Sequence, residues 1–280
     1  MKSALALGTF DGVHMGHRAV LKAASEHENP IALAFSLPPK AYFFKKGIAI
    51  TDKQQKAMLI KDLGIENTVF LDFPKVKDVS AEDFFALVVE QYNPKVIFCG
   101  KNYTFGKDAL GNTRLLSKLC NEKGIELCVC ESVVVDDMLV SSSYIRELLK
   151  NGEIEKANKL LMSDFSFSAE IIHGDKRGRT IGFPTINQQY PLSCAELKRG
   201  VYKSYVYLDG KKYDCISNIG IRPTYKSDTV LCETYIKGFE KQIYGETVRV
   251  YLKEFIREEK KFSGLEELKE AIEKDLSHLE

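Results

Sequence analysis

Up to about residue 135 the chain alternates short apolar runs with segments whose apolar positions recur at helical spacing. Residues 3–8, 31–36, 68–72, 95–99 and 126–135 read as strands, and their continuous apolar character suits strands covered on both faces. Between them, residues 52–63 carry Ala57, Leu59, Ile60 and Leu63 on one helical stripe, and residues 81–91 carry Phe84, Phe85, Leu87 and Val88. Repeated strand-then-helix order predicts an α/β doubly wound parallel sheet, Rossmann-like in layout. Two short helices are expected next, over 143–150 and 153–162, broken at Asn151-Gly152.

After about residue 165 the period changes. Phe165–Ile172, Gly200–Leu208 and residues 212–217, 229–237 and 246–252 read as strands joined by turn signals such as Asp209-Gly210 and Tyr244-Gly245. Val248, Val250 and Leu252 share one face while Arg249 and Tyr251 share the other, the alternation of a half-buried antiparallel strand. A small antiparallel β-barrel followed by a terminal helix over 264–279, with Leu265, Leu268, Ile272 and Leu276 on one stripe, is the architecture predicted. The two domains expected are residues 1–162 and 163–280.

Composition narrows the function classes. The 40 basic residues against 39 acidic give a net charge of +1. Neither half is charged: residues 1–160 hold 21 against 20, and the remainder 19 against 19. That pattern argues against nucleic acid or an anionic membrane as a partner, and leaves small anions, which need only a few donors. No apolar run approaches a bilayer span. The odd count of seven cysteines, with no C-x-x-C pair, predicts reduced structural thiols and a cytoplasmic setting. No obligate protein partner is evident, and a homo-oligomer stays open.

Gly8-Thr9-Phe10-Asp11-Gly12-Val13-His14-Met15-Gly16-His17 follows the first strand and opens the first helix, where open α/β sheets bind ligands. Its glycines allow close backbone approach, the helix N-terminus offers N–H groups to phosphate, and His14 and His17 can face one ligand. Taken bare, it is equally a glycine-rich turn with two solvated histidines. Likewise Ser141-Ser142-Ser143-Tyr144-Ile145-Arg146 is, as a pattern, a Ser-capped helix, and the Asn102 loop after the fourth strand is a weak signal alone. The first run resembles the G-x-F-D-x-x-H-x-G-H signature of the nucleotidyltransferase superfamily, and the second its S-S-T-x-I-R motif. The resemblance implies His14, His17 and Arg146 as catalytic, Gly8, Thr9, Phe10, Gly16, Ser142 and Ser143 as nucleotide-binding, and Asp11 and Asn102 as flavin-binding.

Residues 173–187, His-Gly-Asp-Lys-Arg-Gly-Arg-Thr-Ile-Gly-Phe-Pro-Thr-Ile-Asn, place glycines four apart at Gly174, Gly178 and Gly182, and end on the hard oxygens of Thr185 and Asn187. A basic turn is the plain reading. The stretch closely resembles the riboflavin kinase motif G-x-x-x-G-R-x-x-G-F-P-T-x-N, and the likeness continues through residues 200–202, 217–224, 232–235, 243–245 and 256–262. A nucleotidyltransferase half followed by this half resembles the bacterial bifunctional riboflavin kinase/FMN adenylyltransferase (FAD synthetase) family over essentially the whole chain. The resemblance implies Glu233 as catalytic base, Thr185 and Asn187 as Mg²⁺ ligands, and Gly174, Lys176, Gly178, Arg179 and Gly182 as nucleotide-binding. Arg222 and Arg257 are then either flavin contacts or structural ion pairs.

Riboflavin, FMN, FAD and ATP are the substrates and products so implied. The chain departs from the family pattern at residues 35–39, Phe-Ser-Leu-Pro-Pro in place of F-D-P-H-P, and at 162–165, Met-Ser-Asp-Phe in place of G-R-P-Y. Two alternatives follow: a kinase with a weak or inactive adenylyltransferase, or a non-catalytic flavin-binding regulator.

Overall fold

The computed structural model describes residues 2–44, 47–174, 182–224 and 227–279, the side chains of residues 44, 222–224, 227, 228 and 265 excepted. The chain divides into two compact units, Met1–Tyr144 and Ile145–Glu280.

In the first unit, β1 (Ser3–Leu7), α1 (Met15–Ser25), β2 (Pro30–Phe35), α2 (Pro39–Phe44), α3 (Lys53–Lys61), β3 (Asn67–Leu71), α4 (Phe73–Val76), α5 (Ala81–Tyr92) and β4 (Pro94–Gly100) succeed one another. A small ribbon of β5 (Thr104–Phe105) and β6 (Gly111–Asn112) precedes α6 (Thr113–Lys123) and β7 (Glu126–Cys130). The main sheet has the order β3-β2-β1-β4-β7, with every pair parallel. Alternate β1 residues feed opposite core layers, which is why its sequence is apolar throughout. Ala4 and Ala6 pack with Leu21, Ala24 and Ile60 on one face, while Leu5 and Leu7 pack with Phe84, Val88 and Leu116 on the other. The strand expected over 126–135 is instead two pieces. After β7 the chain turns into a hairpin of β8 (Val134–Val135) and β9 (Met138–Leu139), and its Val134, Met138 and Leu139 are exposed.

Chain order reverses between β1 and β4, since β2 and β3 lie on one side of β1 and β4 and β7 on the other. The carboxyl end of β1 is therefore the switch point of the sheet, the edge at which such folds bind ligands.

Helix α7 (Ser142–Asn151) runs across the division between the units. In the second unit, α8 (Ile154–Leu161) leads into β10 (Phe165–Ile172), β11 (Thr185–Gln189), β12 (Gly200–Leu208), β13 (Lys211–Thr224), β14 (Ser227–Ile236), β15 (Thr247–Arg257) and α9 (Leu265–Leu276). The strands close into a barrel of order β10-β11-β14-β13-β12-β15. Asn158 of α8 seats that helix on the barrel, donating to the Leu252 carbonyl at 2.8 Å and accepting the Phe165 N–H at 2.7 Å. The interior takes Phe165, Phe167, Tyr202, Val206, Cys215, Cys232 and Val250. It also holds a chain of hydroxyls, Ser204 to Ser217 and Ser217 to Thr234, each contact 2.8 Å, so the buried polar groups satisfy one another.

Candidate functional site

The loop after β1 is built as a rigid cradle. Phe10 and Val13 both take positive φ, 47° and 43°, and Gly12 takes 88°. Such backbone costs free energy and persists only where the surroundings enforce it. The enforcing contacts are on either side. Asp11 is 1% exposed, and its Oδ1 accepts the Ile50 and Thr51 N–H groups at 2.9 and 3.3 Å. The Thr51 hydroxyl accepts the Gly12 N–H at 3.1 Å. Ser142, at the start of α7, donates its hydroxyl to the Asp11 carbonyl at 2.9 Å. A Cβ on Gly8 would lie 2.8 Å from the Phe10 ring, so only glycine fits there.

His14 caps α1, its Nδ1 accepting the His17 N–H at 3.4 Å. An acceptor Nδ1 places the ring proton on Nε2, leaving a donor on the far side of the imidazole. The two imidazoles stack with centroids 3.7 Å apart, and Phe10 meets His17 edge-on at 5.5 Å. Gly16 lies within the same first turn, where a Cβ would sit 3.3 Å from His14. Asn102 is exposed in the turn that follows β4, the strand beside β1. Ser143 is exposed in the first turn of α7, whose first turn is capped by Ser141 Oγ accepting the Tyr144 N–H at 3.2 Å. Arg146 follows one turn into α7.

One residue of this cradle escaped the sequence reading. Lys56 of α3 is 0% exposed, and its Nζ donates to the carbonyls of Thr9 at 3.0 Å and Phe35 at 2.6 Å. It thereby ties the loop after β1 to the end of β2, where the Phe35-Ser36-Leu37-Pro38-Pro39 departure begins. Burial pushes its pKa down from 10.5 to about 8, with the Asp11 and Asp52 charges resisting. The signal was present: Lys56 stands four residues before Ile60 and seven before Leu63, on the buried stripe.

In the second unit the site lies on the outer face of the barrel. Register sets Asn187 of β11 opposite Glu233 of β14, Glu233 opposite Asn218 of β13, Asn218 opposite Val201 of β12 and Val201 opposite Arg257 of β15. One transverse row thus crosses five strands. All five residues line a cavity of about 310 Å³, walled also by Phe183, Thr185, Tyr235 and the Leu268, Ile272 and Leu276 stripe of α9. The row exists only because Thr185–Gln189 is a strand, an element that sequence reading left inside the glycine-rich motif.

Asn187 is 6% exposed. Its Nδ2 faces the Thr185 carbonyl and hydroxyl at 3.4 and 3.5 Å, and its Oδ1 is buried with no hydrogen-bond partner among the described residues. A buried acceptor left open beside a threonine hydroxyl fits a hard cation. Gly174 packs on this amide so closely that a Cβ would lie 2.6 Å from it. Gly182 needs its φ of +89°, a left-handed value. Lys176, Gly178 and Arg179 lie outside the described residues, as does the Arg222 side chain.

Arg257, left open between flavin contact and ion pair, has its guanidinium taken. Nε and Nη2 bind both oxygens of Asp275 on α9 at 2.8 and 2.7 Å, and Nη1 donates to the Glu258 carbonyl at 3.1 Å. The Asp275 side chain is 4% exposed, so this fork anchors α9 as a wall of the cavity. Glu259 rests on Gly220, where a Cβ would meet its Oε1. Desolvation pushes its pKa up, the Glu233 charge adds to that, and Arg199 opposes it.

No helix among the described residues is long and apolar enough to cross a membrane. The FAD synthetase family model matches residues 1–144 and the riboflavin kinase family model residues 161–280. The chain is 33% identical to the bifunctional riboflavin kinase/FMN adenylyltransferase of Bacillus subtilis over 98% of its own length and 90% of the relative's. It is 32% identical to the protein of that name in Listeria monocytogenes, over 97% and 89%. Among solved structures, one described as a macrolide-efflux protein from Streptococcus pneumoniae superposes with a TM-score of 0.88 at 28% identity, over 99% of this chain and 93% of that one.

Proposed function

The chain belongs to the bifunctional riboflavin kinase/FMN adenylyltransferase family, phosphorylating riboflavin to FMN and adenylylating FMN to FAD with ATP, and from that premise we propose where each reaction runs. Adenylylation is assigned to the cradle after β1. Phosphorylation is assigned to the outer barrel face around Glu233. The observation that carries the assignment is the row Asn187–Glu233–Asn218, which puts an open oxygen acceptor, a carboxylate and an amide side by side in one cavity.

In the kinase reading the riboflavin 5′-hydroxyl gives its proton to the Glu233 carboxylate as its oxygen attacks the γ-phosphorus of ATP, and ADP leaves. The apolar walls of Phe183, Tyr235, Leu268 and Ile272 suit the flavin ring. Thr185 and Asn187 would hold Mg²⁺, supported by the unpartnered Asn187 Oδ1; when bound, the ion neutralises phosphate charge. Gly174, Lys176, Gly178, Arg179 and Gly182 are assigned to the ATP phosphates, and Arg222 to the flavin. Arg257 acts through Asp275 by holding α9.

In the adenylyltransferase reading the FMN phosphate attacks the α-phosphorus of a second ATP and pyrophosphate leaves. No protein nucleophile is required. His14 offers its Nε2–H, His17 stacks beside it, and the first N–H groups of α1, with Gly8, Thr9, Phe10, Gly16, Ser142, Ser143 and Arg146, position the triphosphate. Asp11 contributes by fixing the loop on Ile50 and Thr51, and Asn102 is assigned to the flavin side. The cytoplasm is the compartment inferred, supported by seven free cysteines.

Single substitutions separate the two sites. His17→Ala should lower FMN adenylylation by ~10² to 10³-fold, the scale of losing one oxyanion donor, and leave riboflavin phosphorylation intact. Glu233→Ala should do the converse. Loss of both activities in either variant would refute the assignment.

A further inference from the structure

The Lys56 ammonium is 0% exposed, and desolvating a charge is costly. Packing alone would be served by methionine or leucine at that position of α3. What the ammonium adds is two hydrogen bonds, to the Thr9 carbonyl at 3.0 Å and the Phe35 carbonyl at 2.6 Å.

The Thr9 carbonyl belongs to the same peptide unit as the Phe10 N–H. That peptide is trans, so its carbonyl and its N–H point in opposite directions. Holding the carbonyl on Lys56 therefore turns the Phe10 N–H away from the ammonium. Among the described residues no group accepts from that N–H, although Phe10 is 1% exposed. In a residue so enclosed an open backbone donor is uncommon. Phe10 also takes a φ of 47°, so its orientation is imposed by contacts and not by backbone preference. The next peptide is fixed in the same way, its Asp11 carbonyl accepting from Ser142 and its Gly12 N–H donating to Thr51. The Phe10 ring meets His17 edge-on at 5.5 Å, which sets the open N–H beside the imidazole pair.

We propose that Lys56 is a positioning residue for FMN adenylylation: by holding the Thr9 carbonyl it aims the Phe10 N–H at the phosphate oxygens on which charge grows as pyrophosphate leaves. The proposal rests on the reading of this cradle as the adenylylation site. Lys56 acts through the peptide, its own Nζ being spent on the two carbonyls. A donor fixed before the reaction stabilises the growing charge without reorganising, so its loss is read in kcat more than in substrate affinity.

The test is steady-state adenylylation of supplied FMN by the full chain with Mg²⁺-ATP. Lys56→Met should lower kcat by about 10-fold or more and move KM for ATP by less than about 3-fold, with riboflavin phosphorylation unchanged. Replacing Phe10 by phenyllactic acid through nonsense suppression turns the peptide into an ester, which deletes the N–H and keeps every side chain. That change should lower kcat by about 10²- to 10³-fold, the scale of one oxyanion donor. With the ester in place, Lys56→Met should cost less than about 3-fold more, because the donor it aims is already gone. A merely structural lysine would cost the same in both backgrounds. Equal losses in the two backgrounds, an ester kcat within about 3-fold of the parent, or a Lys56→Met effect confined to KM would overturn the role. The ester leaves Lys56 in place, so it keeps the role refutable even if Lys56→Met does not fold. Undiminished FMN adenylylation by His17→Ala would instead refute the site assignment, so the two failures are distinguishable.

Discussion

Replacing Lys56 by methionine tests whether the cradle after β1 is held by a buried charge. Two effects compete. The ammonium is fully buried, and its pKa falls from 10.5 to about 8. At 1.36 kcal/mol per pH unit that displacement corresponds to about 3 kcal/mol by which charged Lys56 disfavours the folded state at neutral pH. Against it stand the hydrogen bonds to Thr9 and Phe35, whose loss leaves two carbonyls short of a donor at about 1–3 kcal/mol each. Near pH 7 the gain and the loss nearly cancel, and the parent and Lys56→Met should agree within about 2 kcal/mol.

At higher pH they should part. Because the folded pKa lies below the unfolded one, the unfolded chain holds more protons between about pH 8 and 10.5, and parent stability rises with pH across that window. The variant lacks the group, and the tyrosines and cysteines common to both cancel in the difference. Parent minus variant should therefore be flat below about pH 8 and climb by about 3 kcal/mol by pH 10.5. Pulse proteolysis in urea, reading fragments of residues 1–144, measures it. A flat difference to pH 10.5 would show that Lys56 does not carry a displaced proton equilibrium.

Other outcomes follow from the same geometry. Gly174→Ala drives a Cβ to 2.6 Å from the Asn187 amide, so riboflavin phosphorylation should fall by about 10- to 100-fold, as expected of misplaced ligands, with FMN adenylylation intact; an unimpaired kinase would refute the packing argument. Asp275→Ala removes both partners of the Arg257 fork. It should raise KM for riboflavin and lower the stability of the second unit by about 2–3 kcal/mol, measured by kinetics and urea unfolding; an unchanged KM would show that α9 does not depend on the pair. Burial pushes the thiols of Cys99 up to about 12 and of Cys120 and Cys232 up to about 11. Since the thiolate is the nucleophile, all three should resist iodoacetamide at neutral pH until urea is added, as read by peptide mass spectrometry; rapid native labelling would contradict their environment.

Much of this was legible in the sequence, and the omissions have physical causes. The apolar runs located β1 to β4 and β7 because parallel strands covered on both faces leave no other pattern. Alternation found β10, β12 and β15, and Val248, Val250 and Leu252, which share one face of β15, are all buried in the interior. Strand β11 was missed because Thr-Ile-Asn-Gln-Gln has one apolar residue and inward-facing Gln188, which satisfies the Ala169 and Val248 carbonyls. Without β11 the row through Asn187, Glu233 and Asn218 could not be drawn. Lys56 was missed because a lysine on an amphipathic helix normally faces water, and only the fold reveals two carbonyls awaiting it. Arg257 stayed undecided because Asp275, its partner, lies 18 residues away on another element.

The central claim, one chain with two separate flavin-transforming sites, is tested most directly by following flavins chromatographically while the protein acts on riboflavin, ATP and Mg²⁺. FMN should appear first and FAD should accumulate from it, and a mixture of Glu233→Ala with His17→Ala should restore FAD formation that neither variant achieves from riboflavin alone. FMN with no FAD from the parent protein, or no restoration on mixing, would contradict the account.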